Sequence, residues 1–223
     1  MPRRFSFALV FAAFVLVSVA PAQVVVGNSI VARGGIDSAS TTFVLSSQSF
    51  GAAAIGDNLV TWSYFSGSSG LSLTPVLFEY TGSGFDYIVR GIGASVTTST
   101  GAHVALPFAL VSGSSAITKA SFFFGWKDGT PSTPNTGSIT FADNAGSPQV
   151  VYIGAGGPSG FAASNVYSFN GGTLNRTYSI SGTTAAVPEP SVTALLFALA
   201  ALGCAVWRRR TNQDGRTGRA RLG

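Results

Sequence analysis

The chain has 223 residues and a formal charge of +5, although only 9% of its residues are charged. The positive excess lies at the two ends, because between Gln23 and Val187 five basic residues (Arg33, Arg90, Lys119, Lys127, Arg176) meet six acidic ones (Asp37, Asp57, Glu79, Asp86, Asp128, Asp143), a net charge of −1. Without a basic stripe the central region has no electrostatic footprint for a polyanion, which excludes nucleic acid as a partner, and a single cysteine, Cys204, excludes a disulfide framework.

The first element is a secretory signal over residues 1–22. Arg3 and Arg4 form a positive start, Phe5 to Val19 an uncharged apolar run, and Ala20-Pro21-Ala22 the small residues that precede a signal peptidase cut. Cleavage is expected after Ala22. Ser6 stands where a twin-arginine signal wants an apolar residue, which favours general secretion.

Residues 23–180 are rich in Gly, Ser, Thr, Val and Phe and poor in Lys, Glu and Leu, a bias against helices and toward strands joined by tight turns. Period-two alternation marks Val60, Trp62 and Tyr64, then Phe122, Phe124 and Trp126, then Arg176, Tyr178 and Ile180. Further strands are expected at Thr42 to Leu45, Pro75 to Tyr80, Phe85 to Ile92, Val104 to Val111, Gly137 to Phe141, Gln149 to Ile153 and Val166 to Phe169. Turn clusters such as Gly67-Ser68-Ser69-Gly70 and Asn170-Gly171-Gly172 separate them. The pattern predicts a mainly β ectodomain, a single antiparallel β-sandwich of jelly-roll type, with no repeat of fixed period. Ser181 to Ala186, small and polar, reads as a flexible linker.

The C-terminal segment has three parts: Val187-Pro188-Glu189-Pro190, an apolar run from Ser191 to Trp207, and Arg208-Arg209-Arg210, followed by a basic tail over 211–223. The seventeen residues of the run, as a helix, span about 26 Å against a hydrocarbon core of about 30 Å. Trp207 and the arginines can sit at the interface or snorkel outward, so one transmembrane helix is expected over 191–207. Its strongly apolar residues contribute roughly −2 to −4 kcal/mol toward insertion, a modest value that suits a temporary anchor. The arginines hold the tail in the cytoplasm and leave the β-rich body outside. Cys204 falls within this span, where a small helix-packing residue is expected.

Val187-Pro188-Glu189-Pro190, the Ala/Leu-rich span and the arginine cluster, in that order and spacing over 187–210, resemble the PEP-CTERM sorting signal of Gram-negative bacterial surface proteins. That signal is processed by exosortase, a membrane-embedded cysteine transpeptidase-like enzyme. The resemblance implies that Pro188, Glu189 and Pro190 are read by exosortase and that the anchor is removed as the protein passes from the inner membrane to the cell surface or extracellular matrix. The chemistry fits: Pro188 and Pro190 restrict the backbone toward the extended form in which processing enzymes bind substrates, and Glu189 supplies a charged handle at the membrane surface.

The central region offers little for catalysis. It has one histidine, His103, no cysteine and scattered acids, without a Gly-x-Ser-x-Gly elbow, so no catalytic residue, cofactor or metal is assigned. Asp128-Gly129 and Asp143-Asn144 could ligate Ca²⁺, but Asx turns use the same residues, and Asn175-Arg176-Thr177 matches a glycosylation sequon that carries little weight. Aromatic faces bind sugars, and Trp62, Tyr64, Trp126, Tyr152 and Tyr167 are the candidates, with burial the default. Trp126, beside Lys127 and Asp128 at a strand end, is the best outward candidate for a glycan contact. The expected function is a non-catalytic structural or exopolysaccharide-associated surface protein. The alternatives are a carbohydrate-binding module or adhesin and, third, a surface glycoside hydrolase.

Overall fold

Alternating and doubly apolar stretches become strands joined almost entirely by turns. The computed structural model describes residues 23–37, 42–128, 137–144, 149–153, 160–170, 172–187 and 199–204. Among them the strands are β1 (Val25–Gly27), β2 (Gly35–Ile36), β3 (Thr42–Ser49), β4 (Asp57–Ser66), β5 (Ser72–Tyr80), β6 (Asp86–Gly93), β7 (Val96–Thr97) and β8 (Gly101–Pro107). They continue with β9 (Leu110–Gly113), β10 (Phe122–Asp128), β11 (Thr140–Asp143), β12 (Val150–Ile153), β13 (Val166–Ser168), β14 (Gly172–Leu174), β15 (Arg176–Tyr178) and β16 (Ile180–Ala186). These strands pair antiparallel, and residues Ala22–Ala186 form one compact unit.

One sheet runs β1-β16-β4-β8 and a larger one β13-β6-β5-β10-β3-β12-β14. A small third sheet, β15-β11-β2, extends the first: Phe65 N donates to Ser179 O at 2.9 Å and Gly67 N to Ser138 O at 2.9 Å. Numbering β1, β3, β4, β5, β6, β8, β10 and β16 in chain order, the first sheet reads 1-8-3-6 and the middle of the larger one 5-4-7-2. Consecutive strands thus repeatedly change sheet, and their apolar faces meet in one core containing Leu59, Trp62 and Tyr64 from the first sheet with Phe43, Leu77, Phe122, Phe124 and Trp126 from the second.

The larger sheet is apolar on its other face as well. Val44, Val76, Phe78, Tyr87 and Val89 form a second cluster there, beneath Phe161, Tyr167 and Phe169. Burial on both faces accounts for uninterrupted apolar runs such as Val76-Leu77-Phe78, all fully buried. Phe78 meets Phe169 edge-on at 5.4 Å, and the hydroxyl of Tyr87 is pushed up to about 12 by burial and by neighbouring Tyr80.

Three expectations from the sequence are corrected. Residues 181–186 are no linker: they belong to β16, which lies between β1 and β4. Their small side chains serve close packing between sheets, since a Cβ added at Gly182 would lie 2.8 Å from Phe124 Cδ2. The apolar stretch Val104 to Val111 is two strands, because Pro107 has no N–H to donate and the chain then crosses from β4 in one sheet to β6 in the other. The alternation Arg176, Tyr178, Ile180 likewise breaks at Ser179, between the small sheet and β16.

β8 is an edge strand with a bulge. Trp62 pairs with Leu106 and Tyr64 with His103, leaving Val104 and Ala105 opposite Ser63. Ala105 adopts φ 54°, a left-handed conformation, and its N–H is held by Ser63 Oγ at 3.0 Å. Bulge and proline together blunt this edge against pairing with another chain.

Candidate functional site

The points where the chain enters and leaves the body lie side by side. Because β1 and β16 pair with Val25 opposite Thr183, the residues just outside them are neighbours too: Thr184 N donates to Val24 O at 2.9 Å, and Val24 N to Thr184 Oγ1 at 3.2 Å. Thr184 Oγ1 in turn donates to the buried carboxylate of Asp57 at 2.7 Å, joining β16 to the first residue of β4. Ala186, the last residue of β16, pairs with Asp57. Val187 comes next, 47% exposed, and is the only residue between the sheet and Pro188.

Pro188, Glu189, Pro190, Arg208, Arg209, Arg210, Ala20 and Ala22 lie outside the described residues, as do 191–198 and 205–207 of the expected span. Residues 199–204 are helical, with Leu199 and Leu202 exposed. Among the described residues no helix is long and apolar enough to cross a membrane.

Each carboxylate between Gln23 and Val187 has a partner inside the body. Asp37 accepts hydrogen bonds from Arg176 Nη1 and the Tyr178 hydroxyl, while the Arg176 guanidinium stacks 4.0 Å above the Phe141 ring and reaches Asp143 at 3.5 Å. Burial, then the charge of Asp37, raises the Tyr178 hydroxyl far above its ordinary value, so it stays a donor. Asp86 accepts from Ser168 Oγ at 2.5 Å. Asp128 accepts from Ser138 N at 2.7 Å, Ser138 Oγ at 2.8 Å and Ile139 N at 3.3 Å, which ties the end of β10 to the residues just before β11. These donors engage the carboxylate oxygens of Asp128, and among the described residues no cluster of His, Cys, Asp or Glu is arranged to hold a metal.

Glu79, 3% exposed, is held by Arg90 Nε at 2.5 Å and Lys119 Nζ at 2.6 Å. Burial pushes its pKa up, but the hydrogen bonds from Lys119 and Arg90 and the charges of both outweigh burial, and the group titrates below its ordinary value of 4.5. A depressed folded pKa means that the stabilisation is complete above that ordinary value and is lost as pH falls through the lower folded one. In Glu79→Gln the loss of stability relative to wild type is therefore expected to be largest near neutrality and to shrink below pH 4.5. Denaturant unfolding across an acid pH series checks this, and a deficit independent of pH would remove the ionised carboxylate from the explanation.

The aromatic candidates are mostly core. Trp126 is 0% exposed, stacked on Phe43 at 4.9 Å and against the edge of Tyr178 at 5.0 Å, which corrects its assignment as an outward glycan contact. The reason is parity: Trp126 shares its face with Phe122 and Phe124, and β10 lies between β5 and β3, so that face points between the sheets. Trp62 and Tyr64 are buried in the same core, and Tyr152 and Tyr167 are half-buried. His103 stacks on Tyr64 at 4.6 Å, with Nε2 2.8 Å from Ser99 O. The Glu79 and Asp37 ion pairs went unrecognised in the sequence, where their partners stand 11 to 139 positions away with no local spacing to mark them.

Residues 186–210 match the family model of the PEP-CTERM protein-sorting motif. No curated protein and no solved structure matches the chain.

Proposed function

We propose that this is an exported, non-catalytic surface or matrix protein whose C-terminal segment is the substrate of exosortase and whose jelly-roll body is handed to the extracellular polysaccharide layer. The observation that carries the reading is the sorting motif itself, matched over 186–210, with its first residue at the end of a structural strand and its arginines beyond an apolar run. On this reading the protein is held first in the inner membrane by residues 191–207, with the body outside, and reaches the surface when the anchor is removed. The exposed Leu199 and Leu202 on the described helical turn suit contact with lipid.

A structural role for the body is supported by what its polar groups do. Its carboxylates are engaged by Arg176, Tyr178, Arg90, Lys119, Thr184, Ser168, Ser138 and Ile139, and the large aromatic residues Trp62, Tyr64 and Trp126 hold the sheets together. A hydrolase acting on glycosides would need two carboxyl groups free to face a sugar.

Replacing Pro188, Glu189 and Pro190 together by alanine is expected to leave export intact and to trap full-length protein in the membrane. Fractionation of tagged protein reads the result. Release at the wild-type rate would remove exosortase from the account.

A further inference from the structure

We infer that Gln23 is a modification site: once the signal segment is removed after Ala22, the α-amine of Gln23 closes onto its own side-chain amide and the mature protein begins with pyroglutamate. This rests on the export reading above and adds to it what becomes of the new N-terminus. The α-amine nitrogen attacks Cδ of the same residue; an N–Cδ bond forms, the Cδ–Nε2 bond breaks, and Nε2 leaves as ammonia with the proton that the amine gives up. The product is a neutral lactam, formed without oxidant or reductant, and the terminal charge is lost. An α-amine titrates at about 7.7–8.0, so near neutral pH a share of it is the free base that this attack requires.

The structure supplies the freedom that ring closure needs. Three glutamines lie between Gln23 and Val187, and two of them have engaged amides. Gln48 Oε1 accepts from Gly27 N at 2.8 Å while its Nε2 donates to Asn28 Oδ1 at 3.2 Å, and Gln149 Oε1 accepts from Ser47 Oγ at 2.8 Å. Gln23 is exposed, and among the described residues its side chain has no hydrogen-bond partner. Its amide can therefore swing back onto its own amine at no cost in hydrogen bonds, and both reactants belong to one residue, which makes the step intramolecular.

The ladder begins one residue later. Val24 N donates to Thr184 Oγ1 at 3.2 Å and Val24 O accepts from Thr184 N at 2.9 Å, so the backbone is held from Val24 onward and ring closure at residue 23 uses no group that β1 needs. It also protects that strand. An aminopeptidase works inward from a free α-amine, and trimming past Val24 would reach Val25 and Val26, which pair with β16, Val26 being a buried core residue. A lactam end gives such an enzyme no amine to hold.

Mass-spectrometric mapping of the N-terminal peptide of the exported protein tests this, with an amine-reactive reagent added at harvest so that a free α-amine is marked before it can cyclise during handling. The expected peptide starts at residue 23, carries no label and is lighter than its sequence by one ammonia. A labelled peptide starting at Gln23 would overturn the inference and leave the export reading intact. A first residue other than 23 would overturn it together with the cleavage expected after Ala22, and a chain still starting at Met1 would overturn the export reading itself. Gln23→Ala, exported from the same cells, is expected to give a labelled end and an unchanged melting temperature, because the side chain makes no hydrogen bond to the body. An unlabelled end in that variant would mean that the block has another source, against the inference.

Discussion

Trp126→Ala is expected to lower the stability of the body by about 3–5 kcal/mol, the usual cost of deleting a buried aromatic side chain. The ring is 0% exposed, stacks on Phe43 at 4.9 Å and abuts Tyr178 at 5.0 Å, so its removal leaves a cavity at the centre of the core shared by the two sheets. A domain of this size has a total stability of about 5–15 kcal/mol, so the loss takes about a fifth of it or more. Trp126→Phe separates packing from polarity. It keeps a ring between Phe43 and Tyr178 and removes the indole N–H, which is buried without a hydrogen-bond partner, so its cost is expected to be well under half that of the alanine variant. Denaturant unfolding of the three proteins measures both. A loss below about 1 kcal/mol in Trp126→Ala would mean that the ring is not core, and would reopen the surface position in which it could meet a glycan.

Ending the chain at Ser179 is expected to abolish cooperative folding, whereas ending it at Val187 preserves it. The eight residues between these ends supply β16, and without them β1 loses its sheet partner while β4 is left with an unpaired edge. Ile180 leaves the core, Asp57 loses the Thr184 hydroxyl, and the Phe124 ring loses the surface it packs on at Gly182. Unpaired strands and an opened core act together, and the sum exceeds what a marginally stable domain can lose. Thermal melts followed by near-ultraviolet circular dichroism distinguish the two chains. Equal melting temperatures would show that the body closes without its last strand.

Both predictions concern places where the local sequence points one way and the fold another. Ser181-Gly182-Thr183-Thr184-Ala185-Ala186 has the composition of a linker, yet it is small because a neighbouring sheet passes within van der Waals distance of Gly182. Trp126 borders Lys127 and Asp128, which resemble a solvent-facing strand end, but Asp128 is itself buried and caps the backbone of Ser138 and Ile139. In both cases a local cue for solvent is overridden by a partner distant in the chain. The ion pairs of Glu79 with Arg90 and Lys119, and of Asp37 with Arg176, belong to the same class.

The strands themselves are legible where one feature suffices. Trp62 and Tyr64 alternate because β4 has one apolar face, whereas Val60 falls at a register shift and Leu59 takes the inward place instead, and the expected strands at Pro75 to Tyr80 and Phe85 to Ile92 coincide closely with β5 and β6. Short strands such as β1, β2, β7 and β14 carry no such signal, since two or three residues hold no period and exist only because a longer strand offers them an edge.

From the order of its residues alone, this chain declares a sorting motif at 187–210 and a β-rich body, because a proline-flanked acid, the length of an apolar run, a cluster of like charges and a period of two are properties of contiguous segments. Tertiary structure alone decided that β16 completes the first sheet, that Trp126 faces inward and that the carboxylates are tied to partners within the body. The physical reason is that burial and pairing depend on which strands become neighbours, and that is settled only when the two apolar faces close on each other.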